Sequence, residues 1–148
     1  MRAGPMVRLV ARSLLAPSFA VAAAILVKGY ADAGDGFSAG AVAALGVMLQ
    51  MLAFGRERVA RDLPLHLAPR VAMCGLAIAL GVLIIPVLAG GAPLEHWPPP
   101  GEKPIYIGTL ELITAVVFDI GVFLLVLGAC VAIIDALARA RAAEEEVA

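Results

Sequence analysis

The sequence predicts an all-α integral membrane protein with four transmembrane helices and both termini in the cytoplasm (N-in/C-in). Three observations carry that prediction. Of the 148 residues, 62% are hydrophobic and 16% are charged, against about 45–50% and about 25% in soluble domains; the mean hydropathy is +0.98. Four apolar runs approach the ~20 residues that a helix needs to cross a bilayer core. Nine of the 11 Lys and Arg residues fall in three of the segments flanking those runs. Helices are the expected element, because spanning strands require a closed barrel, and the alternating pattern of a barrel is absent.

The first span covers about residues 10–27 and contains Pro17; Arg2, Arg8 and Arg12 precede or open it. Basic residues before an apolar run have the outline of a signal peptide. A second apolar run follows almost at once, so the segment reads as a retained first helix. The second span, about 37–54, carries Gln50 near its end, a polar group expected to bond another helix. These two spans are short, which predicts little tilt or local thinning of the bilayer. The third span, about 71–88, contains Pro86. The fourth lies within Ile105–Ile134, at about 110–134, and contains Glu111 and Asp119. Ile105–Ile134 is long for one crossing, so the span tilts or its first turns lie at the interface.

The basic residues set the orientation. Beyond the three N-terminal arginines, the Gly55–Arg70 connection holds Arg56, Arg58, Arg61 and Arg70, and the tail holds Arg139 and Arg141. The other two connections hold only Lys28 and Lys103. The positive-inside rule places the first group in the cytoplasm. The outer connection "GAPLEHWPPPGEKPIYIG" contains five prolines. Proline at that density cannot continue a helix, and Trp97 and Tyr106 suit the headgroup belt. Residues 139–148 read as a cytoplasmic tail, the last helix fraying into a solvated acidic end.

Between spans one and two lies "KGYADAGDGFSAG", Lys28 to Gly40. No lysine follows its glycines, as a phosphate-binding loop requires, and no strand precedes them, as a dinucleotide fingerprint requires. Its acidic residues lack the alternate spacing of a calcium loop. A tight hairpin fits better. Gly29 and Gly34 permit the positive φ that stops one helix and turns the chain. Asp35 is placed to accept free N–H groups at the start of the next helix. Gly36 and Gly40 form a GxxxG step that lets another backbone approach, with Phe37 beside a face of small residues.

Glu111 and Asp119 are the acidic residues within the spans. Eight residues apart, they stand about 12 Å apart along a helix and rotated by about 80°. They are too distant to share one proton, and fit two stations of a hydrated path. The structural alternative makes Glu111 an interfacial residue beside Tyr106 and Thr109, and Asp119 a hydrogen-bond anchor. No basic residue within the spans can pair with Asp119, which predicts a partner in another subunit or a protonated side chain. Cys74 and Cys130 sit inside apolar runs as small side chains, and neither they nor His66 and His96 have metal-ligand spacing. No catalytic pair, metal cluster or cofactor motif appears, and a net charge of -1 gives no footprint for nucleic acid. With so few polar positions and no internal repeat, the chain reads as one component of a larger assembly.

The hairpin, read as Gly34-Asp35-Gly36-Phe37-Ser38-Ala39-Gly40, resembles the Gly-Gly-Phe-x-x-Gly turn of the B subunit (MnhB-type domain) of multisubunit Na+/H+ antiporters. Asp119-Ile120-Gly121-Val122, with Glu111 upstream, is similar to the acidic pattern in that family's last helix. Ala33 stands where the family commonly has proline, and Asp35 where it usually has glycine. The resemblance implies a single MnhB-like domain over 1–148, in a bacterial or archaeal inner membrane. It implies an accessory, non-enzymatic subunit without cofactor, whose whole complex exchanges Na+ for H+. Gly34, Asp35, Gly36, Phe37 and Gly40 would form the subunit-contact turn, with Asp119 and Glu111 on or beside the ion route. The same domain type also implies two alternatives: a subunit of a complex I-like, redox-coupled ion pump, or a purely structural packing subunit.

Overall fold

The computed structural model describes residues 4–28, 34–91, 105–107, 110–112 and 114–147. Four helical stretches among them are long and apolar enough to cross a membrane: Pro5–Lys28, Gly36–Phe54, Leu65–Leu88 and Thr114–Glu144. In element terms these are α1 (Pro5–Lys28), α2 (Gly36–Phe54), α4 (Ala68–Leu88, entered through a 3₁₀ turn at Leu65–Leu67) and α5 (Thr114–Val147), with a short α3 at Arg56–Asp62 between α2 and the 3₁₀ turn. Each of the four sequence-derived spans overlaps one of these helices.

Two boundaries of the last span differ from expectation. The expected fourth span began at about residue 110, but α5 begins at Thr114. Ahead of it, β1 (Ile105–Ile107) and β2 (Leu110–Leu112) pair antiparallel, with Tyr106 opposite Glu111. Glu111 is therefore on a strand and not in the last helix. β-branched and aromatic residues ("IYI") favour the strand conformation. At the other end, α5 continues to Val147 instead of fraying at 139, since Ala, Glu and Arg are strong helix formers. Gly29, Asp32, His96, Trp97 and Lys103 lie outside the described residues.

The helices pack in the order α1, α2, α5, α4. Small residues decide each contact. A Cβ at Gly46 of α2 would lie 2.9 Å from the Ser18 Cβ of α1. Ser18 itself turns its hydroxyl back onto the Leu14 carbonyl at 2.8 Å. Between α4 and α5 the approach is backbone on backbone. A Cβ at Gly75 would meet Leu125 N at 2.3 Å, and one at Gly128 would meet Ala72 N at 2.4 Å. Ala68, Ala72, Gly75 and Ala79 are buried on α4, facing Gly121 and Gly128 on α5. These four-three-four and seven-residue steps keep one narrow stripe of small residues in register along both helices.

Larger apolar side chains gather at one end of the molecule. Val47, Met51, Val59, Leu65, Ala68 and Val131 form a buried cluster where α2 ends, α3 and the 3₁₀ turn cross, and α4 begins. Gly55, at φ +82°, makes this crossing possible: its N–H closes α2 on the Met51 carbonyl at 2.9 Å, and the positive φ, which glycine adopts without strain, sends the chain sideways into α3.

Candidate functional site

The turn and the last helix, which the sequence offers as separate features, meet. Gly34 sits at φ +123°, and its N–H donates to Asp119 Oδ2 at 2.9 Å. Asp119 is 4% exposed. Its carboxylate stands at the N-terminal end of α2, where unpaired N–H groups and the positive end of the helix dipole favour an acceptor.

The glycines close the rest of the contact. A Cβ on Gly36 would lie 2.2 Å from the Asp119 carbonyl oxygen, and one on Gly40 would lie 2.8 Å from that of Phe123. Gly36 and Gly40 are one turn apart, as are Asp119 and Phe123, so a turn of α2 lies flat on a turn of α5. The GxxxG step thus serves packing within this chain. Phe37, between the two glycines, is 63% exposed and faces away from that contact.

Two expectations need correction here. Asp35 precedes α2 but makes no side-chain capping bond. Its backbone carbonyl accepts from Ala39 N–H at 3.0 Å and from the Ser38 hydroxyl at 3.0 Å, while its carboxylate stands 3.7 Å from Lys28 Nζ. The carboxylate bonded to the turn comes from Asp119, 85 residues away in sequence. Asp119 in turn has a partner inside this chain, a backbone N–H, a class of donor that a search for basic residues does not consider. Glu111, on β2, is not joined to Asp119 through a shared helix.

Two further polar centres hold the other end. Gln50 Nε2 donates to the Ala11 carbonyl, tying α2 to α1 as its place in span two suggests. Asp135, to which the sequence alone drew no attention, is 3% exposed. Its Oδ1 accepts from Arg56 Nε at 2.7 Å, and its Oδ2 accepts from Arg139 Nε at 2.9 Å and from Arg139 Nη2. The spacing of Asp135 and Arg139, four residues on one helix, was the available signal. Arg56 was not locatable without the Gly55 turn.

The sequence profile described as "Domain related to MnhB subunit of Na+/H+ antiporter" matches residues 6–132. The chain belongs to the MnhB family. Within this MnhB chain the match includes the turn, Gln50 and Asp119, and stops short of Asp135 and Arg139. The chain is 31% identical over 113 residues to a protein from Bacillus subtilis (strain 168) named as the B subunit of an Na(+)/H(+) antiporter, covering 76% of this chain and 78% of that protein. It is 30% identical over 115 residues to the protein of the same name from Alkalihalophilus pseudofirmus, covering 78% of each. A protein from Rhizobium meliloti (strain 1021), named as the probable A/B subunit of a K(+)/H(+) antiporter, is 34% identical over 119 residues; the match covers 80% of this chain and only 12% of that much longer protein.

Proposed function

We propose that this MnhB chain is an accessory membrane subunit of a multisubunit monovalent cation/proton antiporter, with Na+ and H+ as the exchanged ions. The names of the relatives support exchange over redox-driven pumping, and a transport role over an enzymatic one. The observation that carries the site is the Asp119–Gly34 bond. It couples a buried carboxylate on the last helix to a turn whose Phe37 is free to touch a neighbour. In this reading Phe37 anchors another subunit of the complex, Gly34, Asp35, Gly36 and Gly40 hold the turn that presents it, and Asp119 lies on or beside the ion route. Glu111 stands ahead of α5 as a second polar station at the outer side.

The proposed setting is a bacterial or archaeal cell membrane, with both termini in the cytoplasm. Support for that orientation is geometric as well as compositional: Arg8, Arg56, Arg58, Arg61, Arg139 and Arg141 gather around one groove at one end of the helices, and Lys28 lies at the far end of α1.

Asp119→Asn tests the role of the carboxylate. The carboxamide oxygen can still accept the Gly34 N–H, so the chain folds and assembles while the ionisable group is gone. In everted membrane vesicles, the expected result is normal complex yield with Na+-dependent proton exchange lost. Wild-type exchange in that variant would remove Asp119 from the ion route and leave it a structural anchor.

A further inference from the structure

The groove at the arginine-rich end holds charge that the fold does not use. Its volume is about 1400 Å3, and it opens between the start of α1, the end of α2, α3 and the last turns of α5. Arg56 and Arg139 are committed to Asp135. Arg8, Arg58, Arg61 and Arg141 also line it, and none of these four forms an ion pair with a described residue. Glu57 and Asp62 are the carboxylates on its wall, so an excess of positive charge faces the opening. The Arg58 guanidinium lies over the Phe54 ring, 5.7 Å from its centre, a cation–π contact.

The lower wall is apolar. Leu52 and Leu137 line the groove and are 74% and 61% exposed, continuous with the apolar flanks of α2 and α5. A groove with cations at its rim and exposed leucines toward the helix flanks matches the two halves of a phospholipid. Guanidinium groups pair bidentately with phosphate oxygens, and basic pockets between membrane helices suit anionic headgroups. We propose that this groove binds the phosphate headgroup of an anionic phospholipid, with its acyl chains lying along Leu52 and Leu137.

The test uses the full chain, extracted with whatever assembles with it and returned to phosphatidylcholine vesicles. The vesicles carry a trace of photoactivatable phosphatidylglycerol, or of phosphatidylcholine with the same photoactivatable chains. Crosslinked peptides are mapped by mass spectrometry. The expected result is preferential labelling of residues 52–62 and 137–143 by the anionic probe. Labelling should fall on the order of fivefold per arginine removed, about 25-fold for Arg58→Gln with Arg61→Gln. Arg58→Lys with Arg61→Lys, which keeps the charge and loses the bidentate fork, falls between the wild type and the double Gln variant, and Arg70→Gln, which lies outside the groove, keeps the wild-type signal. Equal amounts of each variant in the membrane fraction keep lost labelling distinct from lost protein. Equal labelling by the two lipids, no labelling of these segments, or an unchanged signal in the double Gln variant would each overturn the proposal. Displacement of the lipid by millimolar inorganic phosphate would assign the groove to a free anion instead.

Discussion

Gly36→Ala is the sharpest test of how the turn is joined to the last helix. The added Cβ would lie 2.2 Å from the Asp119 carbonyl oxygen, 2.9 Å from its carbonyl carbon and 3.0 Å from its Cα. All three are backbone atoms of a helix, so no side-chain rotation relieves the clash. Ordinary contact begins at 3.4 Å, so α2 and α5 must separate locally by about 1.2 Å. The same displacement would stretch the 2.9 Å Gly34–Asp119 bond to about 4 Å, beyond hydrogen-bonding range. Overpacking costs about 1–3 kcal/mol, and loss of a bond to a charged acceptor about 1.5–3 kcal/mol. Against this stands up to about 1 kcal/mol of improved helix propensity. The net loss is about 1.5–6 kcal/mol, a fall on the order of 10 °C in the unfolding midpoint. The assay is thermal unfolding of the detergent-purified protein, followed by fluorescence-detected gel filtration. Gly81→Ala is the matched control: the nearest atom to its new Cβ is Ile85 Cδ1 at 4.0 Å, so it should be neutral or stabilising by up to about 1 kcal/mol. If the two variants unfold at the same temperature, the backbone contact between α2 and α5 is not what joins them.

Asp135→Ala leaves Arg56 and Arg139 without their shared acceptor. Because Arg139 is 56% exposed and can rehydrate, the expected loss is about 1–3 kcal/mol, less than for a fully buried pair; the same thermal assay reads it. Gln50→Leu removes the bond to the Ala11 carbonyl and should cost about 1 kcal/mol, loosening α1 so that limited proteolysis cuts its N-terminal side sooner than in the wild type. Phe37→Ala removes an exposed ring that touches little inside the chain, so the unfolding midpoint should hold while recovery of partner subunits in a pull-down falls by on the order of tenfold; unchanged recovery together with unchanged exchange would refute its role as an anchor.

The spans were legible because a bilayer imposes one strong requirement, about 20 apolar residues per crossing, and composition alone can be tested against it. The hairpin was legible because Gly34 and Gly36 occur where an apolar run must stop and restart. What a linear sequence cannot carry is which distant residue meets the turn. Asp35 lies nearest to the free N–H groups and is the natural choice of acceptor, yet Asp119 occupies that position, because α5 passes beside α2 and Asp35 is turned toward Lys28. The same holds for the Asp135 centre. Its carboxylate looks like the first residue of a solvated tail until the Gly55 turn delivers Arg56 to it. Glu111 was misplaced for a different reason: "IYIGTLEL" is apolar enough to pass for helix, and period alone does not separate a short hairpin from the first turns of a span.

The two buried carboxylates of α5 are held in opposite ways, and under the proposed function the contrast favours Asp119 over Asp135 as the one beside the ion route. Asp135 is clamped by two guanidinium groups that fill both of its oxygens. Releasing it would leave two cations behind, which makes it a fixed strut. Asp119 accepts a single backbone N–H among the described residues, on Oδ2. A carboxylate has about four acceptor positions, so a second oxygen is left to meet water, a cation or a group from a neighbouring subunit without the turn being released. The donor cannot follow a departing charge, since Gly34 N–H is fixed by the backbone. A proton or cation reaching Asp119 would therefore alter the strength of one bond, and that bond anchors the turn bearing Phe37. In the proposed assembly the carboxylate and the subunit contact are thus two ends of one short lever, one on α5 and the other at the surface of α2.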